Sequence, residues 1–263
     1  MKRLLRIVLA LLATYLLVLG ALYWRQEVLL FRPQPLPHDH VFQRAPDVHE
    51  RWIEVEGGRL NALHLRLPNP DGVVYFLHGN AGSLESWFVN LDLYRRLNLD
   101  LFMIDYRGYG KSPGRIGSES ELMADVRAAW QAVAPAYAGR KRIFLGRSLG
   151  TGPAAQLAAE LQPELTVLVS PYFSMTRLAR EHYPWVPGAV LRYPLRTDLA
   201  LPRIAGPVLL VHGDQDRLIP AQHARDLAPR APRGTLAIVP GAGHNDLQRF
   251  PAYTEALAAA FRR

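Results

Sequence analysis

The sequence predicts an α/β fold, with a mainly parallel central sheet, helices on both faces, and one apolar helix in front. Three observations carry this. From about residue 72 onward, short runs rich in Val, Ile, Leu and Phe alternate with longer helix-like stretches, the pattern of strands joined by crossover helices. Three of those runs end in glycine-punctuated polar sets: His78 to Gly82, Gly146 to Gly150, and His212 to Pro220. Open parallel sheets keep their ligand crevice at such strand ends. Finally, 263 residues at 49% hydrophobic can bury one large core, so a single domain fits once the N-terminal segment is set aside.

The N-terminus comes first. Lys2, Arg3 and Arg6 precede Ile7 to Trp24, a run of 18 uncharged and mostly apolar residues. As a helix it spans about 27 Å, enough for a bilayer core. The basic flank favours a cytoplasmic N-terminus, and Tyr23 and Trp24 suit the far interface. Residues 1–25 are therefore expected to form a signal anchor. A cleaved signal peptide ending near Val18-Leu19-Gly20 is the competing reading, but the apolar run continues past Gly20 and is long for a signal-peptide core.

Residues 26–50 read as a connector stiffened by Pro33, Pro35 and Pro37. His38, His40 and His49 share no compact ligand spacing. Residues 51–263 are the expected catalytic domain. Arg51–Glu56 and Arg59–Arg66 flank Gly57-Gly58, a hairpin signal that predicts two antiparallel edge strands. Further strands are expected over Gly72–Leu77, Leu99–Ile104, Arg142–Leu145, Pro207–His212 and Leu236–Pro240. Ser118 with Glu121 makes a capping box for a helix through Val133. Between Ser170 and Pro207 the alternation lapses into an Arg-, Tyr- and Pro-rich stretch containing Tyr183 and Trp185.

The chemistry centres on Gly146-Arg147-Ser148-Leu149-Gly150. A GxSxG between an apolar strand and an alanine-rich helix, Gly152 to Leu161, is the setting of a nucleophile elbow. A serine hydroxyl needs a base, and the base needs a carboxylate to hold it. Asp214 or Asp216 after one strand and His244 after the last supply both, in the order Ser, acid, His. The glycine-rich turn His78-Gly79-Asn80-Ala81-Gly82 suits an oxyanion hole, made by the backbone N–H groups of Asn80 and Leu149. His78 is expected to bond nearby backbone, and Asp105, which precedes the serine, to fix its loop.

HGNAG, DYRGYGKS from Asp105 to Ser112, GRSLG, HGDQDRLIP and GAGHND together resemble the alpha/beta-hydrolase fold superfamily. Within it they are most similar to membrane-anchored serine hydrolases of the Bem46 type. The resemblance runs from Trp52 to the C-terminal helix. It implies an alpha/beta-hydrolase fold with Ser148, Asp216 and His244 as the triad, since the superfamily's HGxxD spacing puts Asp216 at the acid position. Asp214 is then expected to bond its own turn, and His223 to sit exposed on a helix. The resemblance also makes about 171–205 a lid, here short, with Tyr183 and Trp185 as residues that touch an acyl chain or pack the insert onto the domain.

The implied reaction is cleavage of a carboxylic ester or thioester through an acyl-enzyme. The implied substrate is a small-molecule or lipid acyl ester or thioester, and the membrane is a partner through the N-terminal helix. A peptidase or amidase with the same triad is an alternative, as is a non-catalytic membrane-tethered binding protein. Composition narrows the rest. With no cysteine, there is no disulfide and no thiolate nucleophile. The net charge of +8 is scattered in short pairs without aromatic interleaving, so nucleic-acid binding is not expected. Neither a metal nor a cofactor is called for, because the serine machinery accounts for Asp214, Asp216, His244 and Asp246.

Overall fold

The computed structural model describes residues 1–262. Its helices are α1 (Lys2–Leu30), α2 (Leu84–Trp87), α3 (Leu91–Arg96), α4 (Glu119–Val133), α5 (Thr151–Leu161), α6 (Met175–His182), α7 (Thr197–Ala200), α8 (Gln222–Leu227) and α9 (Pro251–Phe261). The strands are β1 (Arg32–Pro33), β2 (Val48–Val55), β3 (Gly58–Leu65), β4 (Gly72–Leu77), β5 (Ala81–Gly82), β6 (Leu99–Ile104), β7 (Lys141–Arg147), β8 (Leu165–Val169), β9 (Val208–Gly213) and β10 (Gly234–Val239). Eight of them form one sheet in the order β10-β9-β8-β7-β4-β6-β3-β2. Only β3 runs against its neighbours β2 and β6; the other pairs are parallel.

Side chains alternate across that sheet as the pleat requires. Along β4, Val73, Tyr75 and Leu77 enter a core with Phe144, Trp130 and Leu157 under α4 and α5. Val74 and Phe76 enter a second core with Tyr94, Leu145 and Phe261 under α3 and α9. Covered on both sides, the central strands are mostly apolar, with Asp100 and Thr166 as buried exceptions. Ser118 caps α4 as expected, its Oγ accepting the Glu121 N–H at 3.0 Å, while the Glu121 carboxylate reaches back to the Gly117 N–H at 2.6 Å.

Several boundaries differ from the sequence reading. The hairpin turns on Glu56-Gly57 rather than Gly57-Gly58, because Val55 pairs with Gly58 and Gly57 takes the left-handed φ of +71°. Helix α1 continues five residues past 25, since nothing before Pro33 obliges the chain to leave the helix. Thus Gln26 to Leu30 is helix, and the expected connector also contains β1 and the start of β2. Within 171–205, Thr197, Asp198, Ala200, Leu201 and Ile204 are buried in the domain.

Helix α1 is, among the described residues, the one helix long and apolar enough to cross a membrane. Its end is tied to the domain. The Gln26 side chain, the one buried residue of the helix, donates to the Val190 carbonyl at 3.1 Å and accepts the Arg192 N–H at 2.8 Å. Glu27 bonds Arg192 and the Tyr193 hydroxyl. Strand β1 then pairs in parallel with β5.

Candidate active site

β7 delivers Ser148 at the C-terminal edge of the sheet, and α5 begins three residues later. The turn is so tight that Ser148 adopts a φ of +52°. Its flanking glycines are steric necessities. A Cβ on Gly150 would lie 2.0 Å from the Leu77 carbonyl oxygen, and one on Gly146 would lie 2.4 Å from that of Gly150. The Ser148 carbonyl accepts the Thr151 hydroxyl at 2.7 Å, and the Leu149 carbonyl accepts the Tyr172 hydroxyl at 2.9 Å. The elbow is thereby pinned on both sides of the serine.

The three residues nominated from widely separated motifs meet. Ser148 Oγ lies 3.0 Å from His244 Nε2, and His244 Nδ1 lies 2.7 Å from Asp216 Oδ2. A carboxylate only accepts, so Nδ1 carries a proton and neutral His244 presents the Nε2 lone pair to the serine. The other Asp216 oxygen accepts the Leu218 and Ile219 N–H groups at 2.9 and 2.8 Å. Burial would raise the Asp216 carboxyl. Hydrogen bonds from His212, His244 and the Ile219 N–H outweigh it and hold the group well below the usual carboxylate range.

His212 escaped the sequence reading. Its Nε2 donates to the Ile219 carbonyl at 2.7 Å and lies 3.3 Å from Asp216 Oδ2, so it braces the acid loop from below. Arg147 escaped it too: its guanidinium donates to the His244 carbonyl at 3.3 Å and lies over the Trp87 ring. The signals were there. His212 stands in the strand-terminal HGDQD and Arg147 is the variable residue of the elbow motif, but neither position declares a partner.

Under the elbow, the Gly79 backbone closes on Ser148; a Cβ built there would lie 3.6 Å from the serine Cβ. His78 Nδ1 donates to the Gly79 carbonyl at 2.8 Å. That carbonyl shares a rigid peptide with the Asn80 N–H, so the ring fixes the direction in which this donor points. The Asn80 carbonyl is held in turn by the Tyr109 hydroxyl and the Arg32 N–H, both at 2.8 Å. Asp105 accepts the Leu84 N–H at 2.9 Å and fixes the following loop.

Other nominated residues lie elsewhere. Asp214 bonds the Gly241 N–H, across in the turn after β10, rather than its own turn, because the two loops sit side by side at the ends of paired strands. Asp246 accepts the Gly243 N–H. His223 is fully buried, not exposed. It accepts the Phe173 N–H and donates to Glu181, tying the insert to α8. Tyr183 and Trp185 remain exposed and face α1, whose Tyr15 hydroxyl donates to the Trp185 carbonyl. They do not pack the insert onto the domain.

The chain is similar to known hydrolases. A family model described as serine aminopeptidase, S33, matches residues 68–197. Alpha/beta hydrolase domain-containing protein 17C of Xenopus tropicalis is 34% identical over 82% of this chain and 70% of its own length. The human protein 17B is 34% identical over 77% of this chain and 70% of its own. Among solved structures, a Pyrococcus furiosus esterase superposes with a TM-score of 0.71 at 17% identity, covering 89% of this chain and 97% of that one. A serine hydrolase homologue from Coxiella burnetii gives 0.61 at 19% identity, covering 82% and 96%. One-third identity spread over most of two chains goes beyond shared topology, and this protein belongs to the alpha/beta-hydrolase superfamily as a hydrolase.

Proposed function

We propose that the protein is a membrane-anchored serine hydrolase that cleaves carboxylic esters or thioesters through Ser148, His244 and Asp216. The observation that carries the reading is the unbroken relay from Ser148 Oγ to His244 to Asp216, at 3.0 and 2.7 Å. His244 takes the serine proton as Ser148 attacks the acyl carbonyl, and the ionised Asp216 stabilises the imidazolium that forms. The Asn80 and Leu149 N–H groups receive the oxyanion. His244 then protonates the leaving alcohol or thiol, and water resolves the acyl-enzyme by the same steps. Turnover therefore needs the His244 Nε2 lone pair free to take the serine proton.

Labelling by a fluorophosphonate probe separates an active serine hydrolase from a tethered binding protein. Ser148→Ala is expected to abolish labelling and to lower kcat on p-nitrophenyl butyrate on the order of 10⁴- to 10⁶-fold. Wild-type turnover in that variant would overturn the assignment. A peptidase reading draws on the description of the matched model. The ester reading is preferred because the insert is short and carries no added domain to select chain termini. Aminoacyl p-nitroanilides hydrolysed faster than esters of equal size would reverse that preference.

The same proposal places α1 in the membrane with the domain on the non-cytoplasmic side, periplasmic in a bacterial host, from Lys2, Arg3 and Arg6 ahead of the apolar run. Protease added to intact spheroplasts should digest the domain; protection until lysis contradicts this sidedness.

A further inference from the structure

The insert and α1 enclose an apolar cavity of about 240 Å³, lined chiefly by Leu22, Leu29, Leu30, Ala179, Val190 and Leu191. Trp185 and Tyr183, 51% and 57% exposed, stand beside it. Depth along α1 bears on the Trp185 end of the cavity, since Leu29 and Leu30 lie beyond Trp24 on the far side from Tyr15. Tyr15 lies nine residues before Trp24, about 13 Å further along the axis at 1.5 Å per residue. If Trp24 marks the interface, as an exposed aromatic at the end of an apolar run does, the Tyr15 hydroxyl lies in hydrocarbon. There it needs a protein acceptor, and the insert supplies one in the Trp185 carbonyl at 2.9 Å. The tip of the insert thus shares the leaflet with α1.

We infer that this cavity is a binding site for one acyl chain of a bilayer phospholipid, admitted sideways from the leaflet that holds the insert. The inference rests on the membrane reading above. Water is a poor occupant, because the polar groups of α1 that face the insert are already paired: Tyr15 with Trp185, and both ends of the Gln26 amide with Val190 and Arg192. The volume falls below the ~300–1,000 Å³ of a drug-sized site and holds a segment of one slender chain. Arg180 also borders the cavity, exposed and without a carboxylate partner among the described residues, as the phosphate of such a lipid requires.

The test uses full-length protein in nanodiscs of palmitoyl-oleoyl phosphatidylcholine doped with a phosphatidylcholine carrying a diazirine on one acyl chain. After irradiation, adducts are mapped by mass spectrometry. Adducts are expected on residues 179–191 and on the facing residues 22–30, as well as along 4–17. Ala179→Trp, which fills the cavity, should reduce labelling of 179–191 at least fivefold. It should leave labelling of 4–17, and turnover of p-nitrophenyl acetate, unchanged. Labelling confined to 4–17 would overturn the site while leaving the anchor standing. No labelling anywhere would remove the anchor and the site together. Equal labelling of 179–191 in wild type and Ala179→Trp would place the chain on the surface of the insert and reject the cavity.

Discussion

His78 and Asp105 lie fully buried with Nε2 and Oδ1 3.6 Å apart, too far for a strong hydrogen bond. Burial pushes the Asp105 carboxyl up to about 8 and the His78 ring down to about 4, so both are neutral at pH 7. The consequences for stability have opposite signs. Asp105 ionises first in the unfolded chain, so its contribution is fully present below its unfolded value and is lost as pH rises toward 8. His78 protonates first in the unfolded chain, so its contribution is lost as pH falls below 6.5 toward 4. Of the two, only Asp105 acts above 6.5. Wild-type Tm should therefore decline between pH 6.5 and 8, and Asp105→Asn should flatten that decline; a parallel decline in the variant would show the carboxyl to be ionised throughout. His212 offers a second residue-scale outcome. His212→Phe removes the brace under Asp216 and should lower kcat roughly 10- to 100-fold, in the range of outer-shell losses, with KM little changed. An equal effect on KM would argue for general loosening of the loop. Each of the four residues stood in a motif, so a loop role for His78 and Asp105 was readable. That they face one another, and that His212 faces Asp216, required the fold to bring separate strand ends together.

The elbow is the element where local sequence decides most. Gly146 and Gly150 admit no Cβ, and the turn holds Ser148 in left-handed backbone that costs an L-residue about 1–2 kcal/mol. Ser148→Gly and Ser148→Ala lose the same hydroxyl, but only the glycine relieves the backbone. After discounting glycine's greater freedom in the unfolded chain, Ser148→Gly should be more stable than Ser148→Ala by about 0.5–1 kcal/mol. That is roughly 1–4 °C in Tm by scanning calorimetry; an alanine variant at least as stable would mean the serine is unstrained. The elbow was legible because glycine spacing, apolar strand and alanine-rich helix all pointed the same way. Boundaries in the insert were not. Thr197 to Ile204 carries the same Arg- and Pro-rich composition as the exposed stretch before it, and only burial against α5 and its neighbours makes it core. His223 misled for the same reason: a polar residue on a short helix reads as surface until its partners, Phe173 and Glu181, arrive from the insert.

Across the whole molecule, the sheet gathers the HGNAG turn, the elbow, the acid and the histidine at one edge. This was readable from motif order, because parallel strands deliver their exits to the same side. The attachment of α1 was not, since nothing in its apolar composition announces that Gln26 and Glu27 grip residues 190–193. Beyond that grip the chain runs directly into β1, whose Arg32 N–H holds the Asn80 carbonyl and whose neighbour Gln34 holds Gly82. Such a continuous hydrogen-bonded path is a lever. If α1 spans a bilayer as proposed, one too thin for it tilts it and a thick one draws it in, and either displacement reaches Asn80, whose N–H is proposed to receive the oxyanion and whose carbonyl Arg32 holds. Turnover of a water-soluble ester, which never enters the lipid, should then differ between short-chain and long-chain phosphatidylcholine bilayers. Cutting between Leu30 and Arg32 with an inserted protease site should erase the difference, and identical kcat in both bilayers would show that the lever is slack. By this path the enzyme would gauge the thickness of its own membrane.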